Sequence, residues 1–166
     1  EYPLISIVIL NHNQTKVTCA FLESTKQITY PNYEILVIDN ASKINPTEEI
    51  NQGHYPNVRL ILNKENLGFT GGNNQGIKLS KGDYVFVVNN DTEVTPNLLD
   101  ELIKPFREDE KIAVVCPKIR YFEKPNVIQY AGYHPMNPYT GRAFSVGGYE
   151  NDEGQYDKPS YTNFAH

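Results

Sequence analysis

Three groups of polar side chains in this sequence follow apolar runs of strand length, at residues 10–13, 39–42 and 89–91. The third group, Asn89-Asn90-Asp91, comes directly after the apolar run 84–88, which predicts a buried strand. The carboxyl ends of parallel strands meet at one edge of a sheet, and ligands of open α/β sheets bind at that edge. The three groups are therefore predicted to line a single crevice.

The carboxylate of Asp91 is the candidate metal ligand of this crevice. Magnesium binds through one or two carboxylates together with substrate phosphates and keeps several waters. A single aspartate beside amides fits that pattern better than it fits an all-protein calcium site. Glu93 is either a second ligand or an acidic residue at the N-terminus of the helix that follows.

Two further residues at predicted strand ends are candidates for ligand contact. The carboxylate of Asp39 can accept hydrogen bonds from a ribose hydroxyl or a base N–H, as acidic residues after the second strand of such sheets do. Its alternative role is to form a turn or to cap a helix. His12 follows the first strand, where it either contacts the ligand or lies in a solvated loop.

A glycine-rich segment at residues 66–76 is the second strong feature of the sequence. It is predicted to be a loop as far as Gly72, followed by a helix over 73–80. Glycines allow the backbone to approach a ligand closely, and a helix start beyond them offers N–H groups to an anion. The spacing matches neither the dinucleotide-binding G-x-G-x-x-G motif nor a P-loop. The alternative is that residues 66–76 form a flexible connection without a role in ligand binding.

The elements that position these groups alternate between strand and helix patterns. Strands are predicted at residues 4–10, 33–38, 58–62, 84–88 and 112–116, with helices at 15–29, 46–50, 73–80 and 97–107. Strands that alternate with helices predict βαβ units and a mostly parallel sheet. Residues 118–131 can hold two more strands in antiparallel arrangement, whereas 132–166 are rich in Gly, Pro, Tyr, Asn and Asp and are predicted to be irregular.

Composition excludes several classes of protein. The 166 residues suit one domain, and the net charge of −5 argues against a nucleic-acid interface, which needs a basic face. No apolar run approaches the roughly 18 residues of a membrane-spanning helix. No Cys/His spacing indicates zinc, and no Ser/His/Asp or Cys/His nucleophile arrangement can be identified.

Taken together, these residues resemble the family-2 glycosyltransferases of the GT-A fold, and among them the bacterial enzymes described as rhamnosyltransferase-like. The resemblance covers roughly residues 3–125 and rests on four motifs in order, at 6–13, 35–42, 66–76 and 88–93. It implies an α/β fold with a mostly parallel sheet flanked by helices and an irregular C-terminal segment. It also implies one nucleotide-sugar-binding domain over 1–166, with a nucleotide-binding core at 1–117 and the start of an acceptor-side region at 118–166.

The same resemblance assigns roles to the three polar groups. Asp39 would bind the base or ribose of a sugar nucleotide, and Asp91 would reach Mg²⁺ or Mn²⁺ on its diphosphate. Asn89-Asn90-Asp91 occupies the place of the family's D-x-D motif, from which it departs at Asn89, whose amide can bond a ribose but adds no charge. The nucleotide-binding residues implied are Leu10, Asn11, Asn13, Asp39, Asn66, Gly68, Asn73, Asn89 and Asn90.

The resemblance implies an inverting transfer of a hexosyl or rhamnosyl group from a nucleoside-diphosphate sugar to a hydroxyl of a saccharide or lipid-linked saccharide. The setting implied is bacterial cell-surface polysaccharide synthesis in the cytoplasm, at the inner face of the membrane where regions or partners outside this chain bring it there. The family's catalytic base usually lies well beyond the D-x-D motif, so it is expected beyond His166 and this chain alone is expected to be inactive.

Two alternative functions compete with this one. The first is a non-catalytic nucleotide-sugar-binding module of a larger protein, which the expected absence of the base keeps open. The second is a nucleotidyltransferase that makes the sugar nucleotide. That chemistry usually needs a glycine-rich, arginine-bearing loop near the first strand, and residues 11–15 contain neither glycine nor arginine.

Overall fold

A computed structural model describes residues 2–164 and divides the chain into two compact units, Glu1–Leu99 and Asp100–His166. The first unit alternates strands and helices in the predicted order. Its strands are β1 (Ile5–Asn11), β2 (Tyr33–Asp39), β3 (Val58–Leu62) and β4 (Tyr84–Val87), and its helices are α1 (Thr15–Thr25), α2 (Thr47–Gln52) and α3 (Gly68–Leu79). None of the described helices is long and apolar enough to cross a membrane.

The four strands form one parallel sheet in the order β3-β2-β1-β4. The predicted α/β fold with a mostly parallel sheet is therefore confirmed. The core lies on the two central strands, where Val8, Leu36 and Ile38 are fully buried. The register of β1 on β2 pairs Asn11 with Asp39, so the polar residues that end these strands lie side by side.

Strand β4 differs from its prediction as a buried strand. It ends at Val87, and the side chains of Val85 and Val87 are 40% and 44% exposed. The reason is its position, because β4 pairs only with β1 and lies at an edge of the described sheet. Apolar content alone cannot distinguish an edge strand from a central one.

Helix α3 begins at Gly68, so the prediction of a loop extending to Gly72 is wrong. A Cβ added at Gly76 would clash with Val8 Cγ1, and one added at Gly72 would lie 2.7 Å from Leu10 Cδ2. These glycines therefore let α3 pack directly on β1, a use of glycine for close helix–strand approach rather than for flexibility. Helix α1 also ends earlier than predicted, at Thr25.

The second unit contains little regular structure. Helix α4 (Leu98–Glu108) crosses the division between the units, and β5 (Ile119–Tyr121) pairs antiparallel with β6 (Lys124–Tyr130), as predicted. The strand predicted over 112–116 is wrong, since no described strand pairs with this segment and Val114 is 66% exposed. From 132 to 164 the described backbone makes only isolated bridges, consistent with the predicted irregular segment.

Candidate functional site

A cavity of about 310 Å³ lies in the first unit, where the strands of the parallel sheet end. Its volume is within the range of small-molecule sites, about 300–1,000 Å³. Residues from all three polar groups of the sequence surround it. The lining residues are Leu10, His12, Gln14, Asn40, Asn66, Gly68, Phe69, Asn73, Val88, Asn89 and Asn90.

The predicted site residues divide into those that line the cavity and those that do not. Six of them line it: Leu10, Asn66, Gly68, Asn73, Asn89 and Asn90. Asn11 and Asp39 are instead buried, at 0% and 3% exposure. Asn13 and Asp91 are exposed and do not line the cavity. The cavity wall therefore consists of amides, a histidine and apolar groups, without an acidic side chain.

The carboxylate of Asp39 is already engaged by neighbouring protein groups. Asn11 Nδ2 donates to Asp39 Oδ1 at 2.7 Å, and the backbone N–H of Ser42 donates to Asp39 Oδ2 at 3.0 Å. The Ser42 hydroxyl donates to Asp39 Oδ1 as well. Asp39 thus closes the turn after β2, the alternative role considered for it, and a direct contact with a nucleoside stays a prediction.

A buried threonine that the sequence did not single out continues this set of hydrogen bonds. The hydroxyl of Thr18, on α1, donates to Asn11 Oδ1 at 2.8 Å and accepts from Asn90 Nδ2 at 2.9 Å. Thr18 is 0% exposed. Through Thr18, the side chains at the ends of β1 and β2 are connected to Asn90, in the loop after β4.

His12 lines the cavity, and its ring is held by three neighbours. Its Nδ1 lies 2.8 Å from the carbonyl oxygen of Asn40, which can only accept, so this ring nitrogen carries the proton. In the neutral ring, Nε2 then accepts from the side-chain amides of Asn13 and Asn66, at 3.0 and 3.4 Å. The structure places the exposed His12 side chain at the cavity, and its contact with a ligand stays a prediction.

Asn40 and Phe69 are two further lining residues, which lie in the predicted segments 39–42 and 66–76 but to which the sequence interpretation gave no role of their own. Asn40 Nδ2 donates to the carbonyl of Gly68 at 2.9 Å, and its Oδ1 accepts from Asn63 Nδ2 at 3.1 Å, which ties the start of α3 to the end of β2. Phe69 lies in the first turn of α3 and is 67% exposed. An aromatic residue within a glycine-rich motif was the sequence signal for a surface on which a base can stack.

Asp91 has an exposed carboxylate with no hydrogen bond or ion pair to any described residue. Within residues 2–164, no three His, Cys, Asp or Glu side chains converge as a complete metal site. A lone free carboxylate fits a magnesium or manganese ion whose other ligands are phosphate and water. Glu93 is not a helix N-terminal acid, because α4 begins at Leu98 and its first turn contains Asp100 and Glu101.

Comparison with known proteins identifies the family of this chain. The sequence model described as glycosyl transferase family 2 matches residues 6–155, which is most of the chain. The chain belongs to glycosyl transferase family 2. The suspected family resemblance is therefore confirmed, and the four motifs on which it rested all begin within the matched region.

Relatives of this family-2 chain include curated glycosyltransferases and polysaccharide synthases. It is 30% identical over 122 residues to the glycosyltransferase GlyG of Streptococcus pneumoniae, covering 72% of this chain and 40% of GlyG. It is 29% identical over 135 residues to the chondroitin synthase of Escherichia coli, covering 80% of this chain and 19% of that enzyme. The chain thus spans less than half the length of either relative.

Solved structures show that this family-2 chain has the GT-A fold. The mannosyltransferase PcManGT of Pyrobaculum calidifontis, in complex with GDP-Man and Mn²⁺, superposes with a TM-score of 0.65 at 19% identity over 72% of this chain and 36% of that one. TarS of S. aureus in complex with UDP-GlcNAc gives a TM-score of 0.57 at 21% identity over 64% of this chain and 32% of that one.

Proposed function

We propose that this chain is the sugar-nucleotide-binding part of an inverting glycosyltransferase. The observation that carries the proposal is the amide-lined cavity at the carboxyl edge of the sheet, bordered by the loop that bears the free carboxylate of Asp91. Two proteins of the same fold, PcManGT and TarS, are described in complex with GDP-Man and Mn²⁺ and with UDP-GlcNAc. The ligand class proposed for the cavity is accordingly a nucleoside-diphosphate sugar.

The cavity residues suit the parts of such a ligand. The exposed ring of Phe69 offers a stacking surface to a base, and the amides of Asn73 and Asn89 offer donors and acceptors to a base or ribose. Asp91 would hold Mg²⁺ or Mn²⁺ beside the diphosphate. When bound, that ion neutralises charge on the departing nucleoside diphosphate.

The remaining chemistry requires an acceptor and a base. In an inverting transfer, an acceptor hydroxyl attacks the anomeric carbon from the face opposite the diphosphate, and a carboxylate takes its proton. No acidic residue lines the cavity. We propose that the catalytic base lies beyond His166.

We propose the acceptor and the cellular setting by analogy with the relatives. Chondroitin and hyaluronan synthases are among them, which supports sugar transfer in polysaccharide synthesis. We propose that a hexosyl or rhamnosyl group is transferred to a saccharide or lipid-linked saccharide in bacterial cell-surface polysaccharide synthesis. Nucleoside-diphosphate sugars are metabolites of the cytoplasm, and we therefore propose that the reaction takes place there. Other regions of the protein or its partners would bring it to the inner face of the membrane.

The second candidate is a non-catalytic sugar-nucleotide-binding module. The observation that favours it is the cavity wall itself, which offers binding amides but no carboxylate able to act as a base. The two functions share the ligand and differ only in turnover, so they are separated by an activity measurement on the full-length protein.

The test compares this chain with the full-length protein that contains it. Both are titrated calorimetrically with UDP and GDP in the presence of Mn²⁺, and both are assayed for transfer and hydrolysis of UDP- and GDP-sugars. The proposal expects both to bind and only the full-length protein to turn over. Binding by both without turnover by the full-length protein would support the module, and the absence of binding by both would refute a sugar-nucleotide site.

A further inference from the structure

We propose that Thr18 is a positioning residue that fixes the orientation of the Asn90 side chain in the cavity wall, and that Asp39 sets this orientation through Asn11. The inference rests on the proposed function only for the identity of the ligand. The relay itself, Asp39–Asn11–Thr18–Asn90, follows from contacts among side chains of β2, β1, α1 and the loop after β4.

The direction of every hydrogen bond in the relay follows from the carboxylate at its end. An ionised carboxylate can only accept, so Asn11 must present Nδ2 to Asp39, at 2.7 Å. The Asn11 amide oxygen then faces Thr18 and accepts its hydroxyl proton, at 2.8 Å. Since the Thr18 hydroxyl has donated its one proton, it can only accept from Asn90, whose Nδ2 lies 2.9 Å away.

This polarity has a consequence in the cavity wall. One N–H of the Asn90 amide is engaged by Thr18, and the amide oxygen, which accepts no hydrogen bond from a described residue, is available to a ligand. A carbonyl-type oxygen accepts ribose hydroxyls and base N–H groups and is also a ligand for hard cations. The relay thus fixes which way round the Asn90 amide lies, so that its oxygen is not turned toward Thr18 and is available as an acceptor in the loop that bears Asp91.

Burial makes the relay rigid. Asn11 and Thr18 are 0% exposed and Asp39 is 3% exposed, so water does not compete for their hydrogen bonds. An unsatisfied buried donor or acceptor is costly, which disfavours rotation of any one member by itself. A change at Thr18 should therefore reach Asn90, although Thr18 does not line the cavity.

The experiment uses three variants of α1. Thr18→Val removes the hydroxyl with little change of shape, Thr18→Ser retains it, and Thr25→Val is the matched control. Thr25 is equally buried on the same helix, but its hydroxyl bonds only the carbonyl of Leu22, at 2.6 Å. Binding of UDP and GDP with Mn²⁺ is measured by calorimetry, and thermal unfolding is recorded for each variant.

We expect Thr18→Val to weaken nucleoside-diphosphate binding about tenfold, as the loss of one oriented hydrogen bond would. Thr18→Ser and Thr25→Val should bind as the wild type does, within about twofold, although Thr25→Val should lower the melting temperature about as much as Thr18→Val. Equal affinities of Thr18→Val and Thr25→Val would overturn the proposal, because both would then act only on stability.

A second readout needs no nucleotide. The side-chain NH₂ resonances of Asn90, assigned by their loss in Asn90→Asp, should shift and exchange faster in Thr18→Val but not in Thr25→Val. Unchanged Asn90 resonances in Thr18→Val would overturn the proposal, as would a shift with unchanged affinity. If wild-type protein binds neither UDP nor GDP, the proposed function fails, and the Asn90 resonances alone decide whether Thr18 positions this side chain.

Discussion

The side-chain amide of Asn11 donates to the carboxylate of Asp39 across 2.7 Å, between the last residues of two adjacent parallel strands that are paired in register. Both side chains are buried. Neither residue lines the cavity, yet together they fix the sheet edge on which the cavity lies. The polar residues that the sequence marks as ligand contacts thus include two that act within the protein.

Replacing Asp39 with alanine should destabilise the fold as well as weaken ligand binding. The change removes an acceptor from the buried Asn11 Nδ2, which keeps only the Ser42 hydroxyl oxygen at 3.2 Å, and from the partly buried N–H of Ser42. We expect a loss of about 1–3 kcal/mol. Urea unfolding measures the loss. Asp83→Ala is the control, because this exposed aspartate accepts only the N–H of Leu4, at 2.9 Å. Equal losses of stability in the two variants would contradict the structural role of Asp39.

Gly76 should not tolerate even a methyl group. A Cβ there would clash with Val8 Cγ1 and lie 3.3 Å from Ile38 Cγ1, so α3 must move away from β1 and β2. We expect Gly76→Ala to lose about 1–3 kcal/mol of unfolding free energy. Asn74→Ala, at an exposed position of the same helix, should be neutral or slightly stabilising. Stabilisation by Gly76→Ala, the usual outcome in an open helix, would refute the close packing.

Phe69 should contribute to nucleoside affinity without contributing to stability. Its side chain is 67% exposed and lines the cavity, and stacking of a base on an aromatic ring is worth about 1–3 kcal/mol. Phe69→Leu should therefore weaken UDP and GDP binding by about tenfold or more in calorimetry, with an unchanged melting temperature. Ile77→Ala, exposed on the same helix, should bind normally. If Phe69→Leu binds UDP and GDP with unchanged affinity, the nucleoside base does not stack on Phe69.

Glu34 should make stability depend on pH in the acidic range. Burial raises its pKa, but hydrogen bonds from the Ser6 hydroxyl and the Lys81 N–H, with the charges of Arg59 and Lys81, outweigh burial and lower the pKa below the ordinary 4.5. A lowered folded-state pKa stabilises the protein above the ordinary pKa, and this contribution is lost as pH falls through the lowered value.

The stability difference between wild type and Glu34→Gln should accordingly be present at neutral pH and should shrink as pH falls below 4.5. Urea unfolding of both proteins across this range measures it. Glu65→Gln removes the same charge from an exposed residue that makes no hydrogen bond to a described residue. A difference that grows as pH falls would contradict the assignment.

Hydrophobic patterns and strand ends predicted the parallel sheet and the meeting of the three polar groups, because strand direction alone brings Leu10, Asn40 and Asn89 to one edge. What they missed depends on tertiary contacts. The start of α3 at Gly68 and the hydrogen bonds of Thr18 are set by packing against other elements, which local sequence does not record.

The second unit shows the same limit of predictions made from local sequence patterns. The apolar run 112–116 has strand composition, but no described strand lies beside it to complete the hydrogen bonds of a sheet. A strand requires a partner, and the partner's position is a property of the fold. The antiparallel pair that was predicted over 118–131 formed because its two strands are adjacent in sequence and pair with each other.

The most direct test of the central claim is calorimetric titration of wild type, Asp91→Ala and Glu49→Ala with UDP and GDP, with and without Mn²⁺. Glu49 is an exposed acidic residue outside the cavity wall and controls for the loss of one negative charge. Wild type and Glu49→Ala should bind at least about tenfold more tightly with Mn²⁺, and Asp91→Ala should lose that difference. Equal Mn²⁺-dependent binding by wild type and Asp91→Ala would contradict the account.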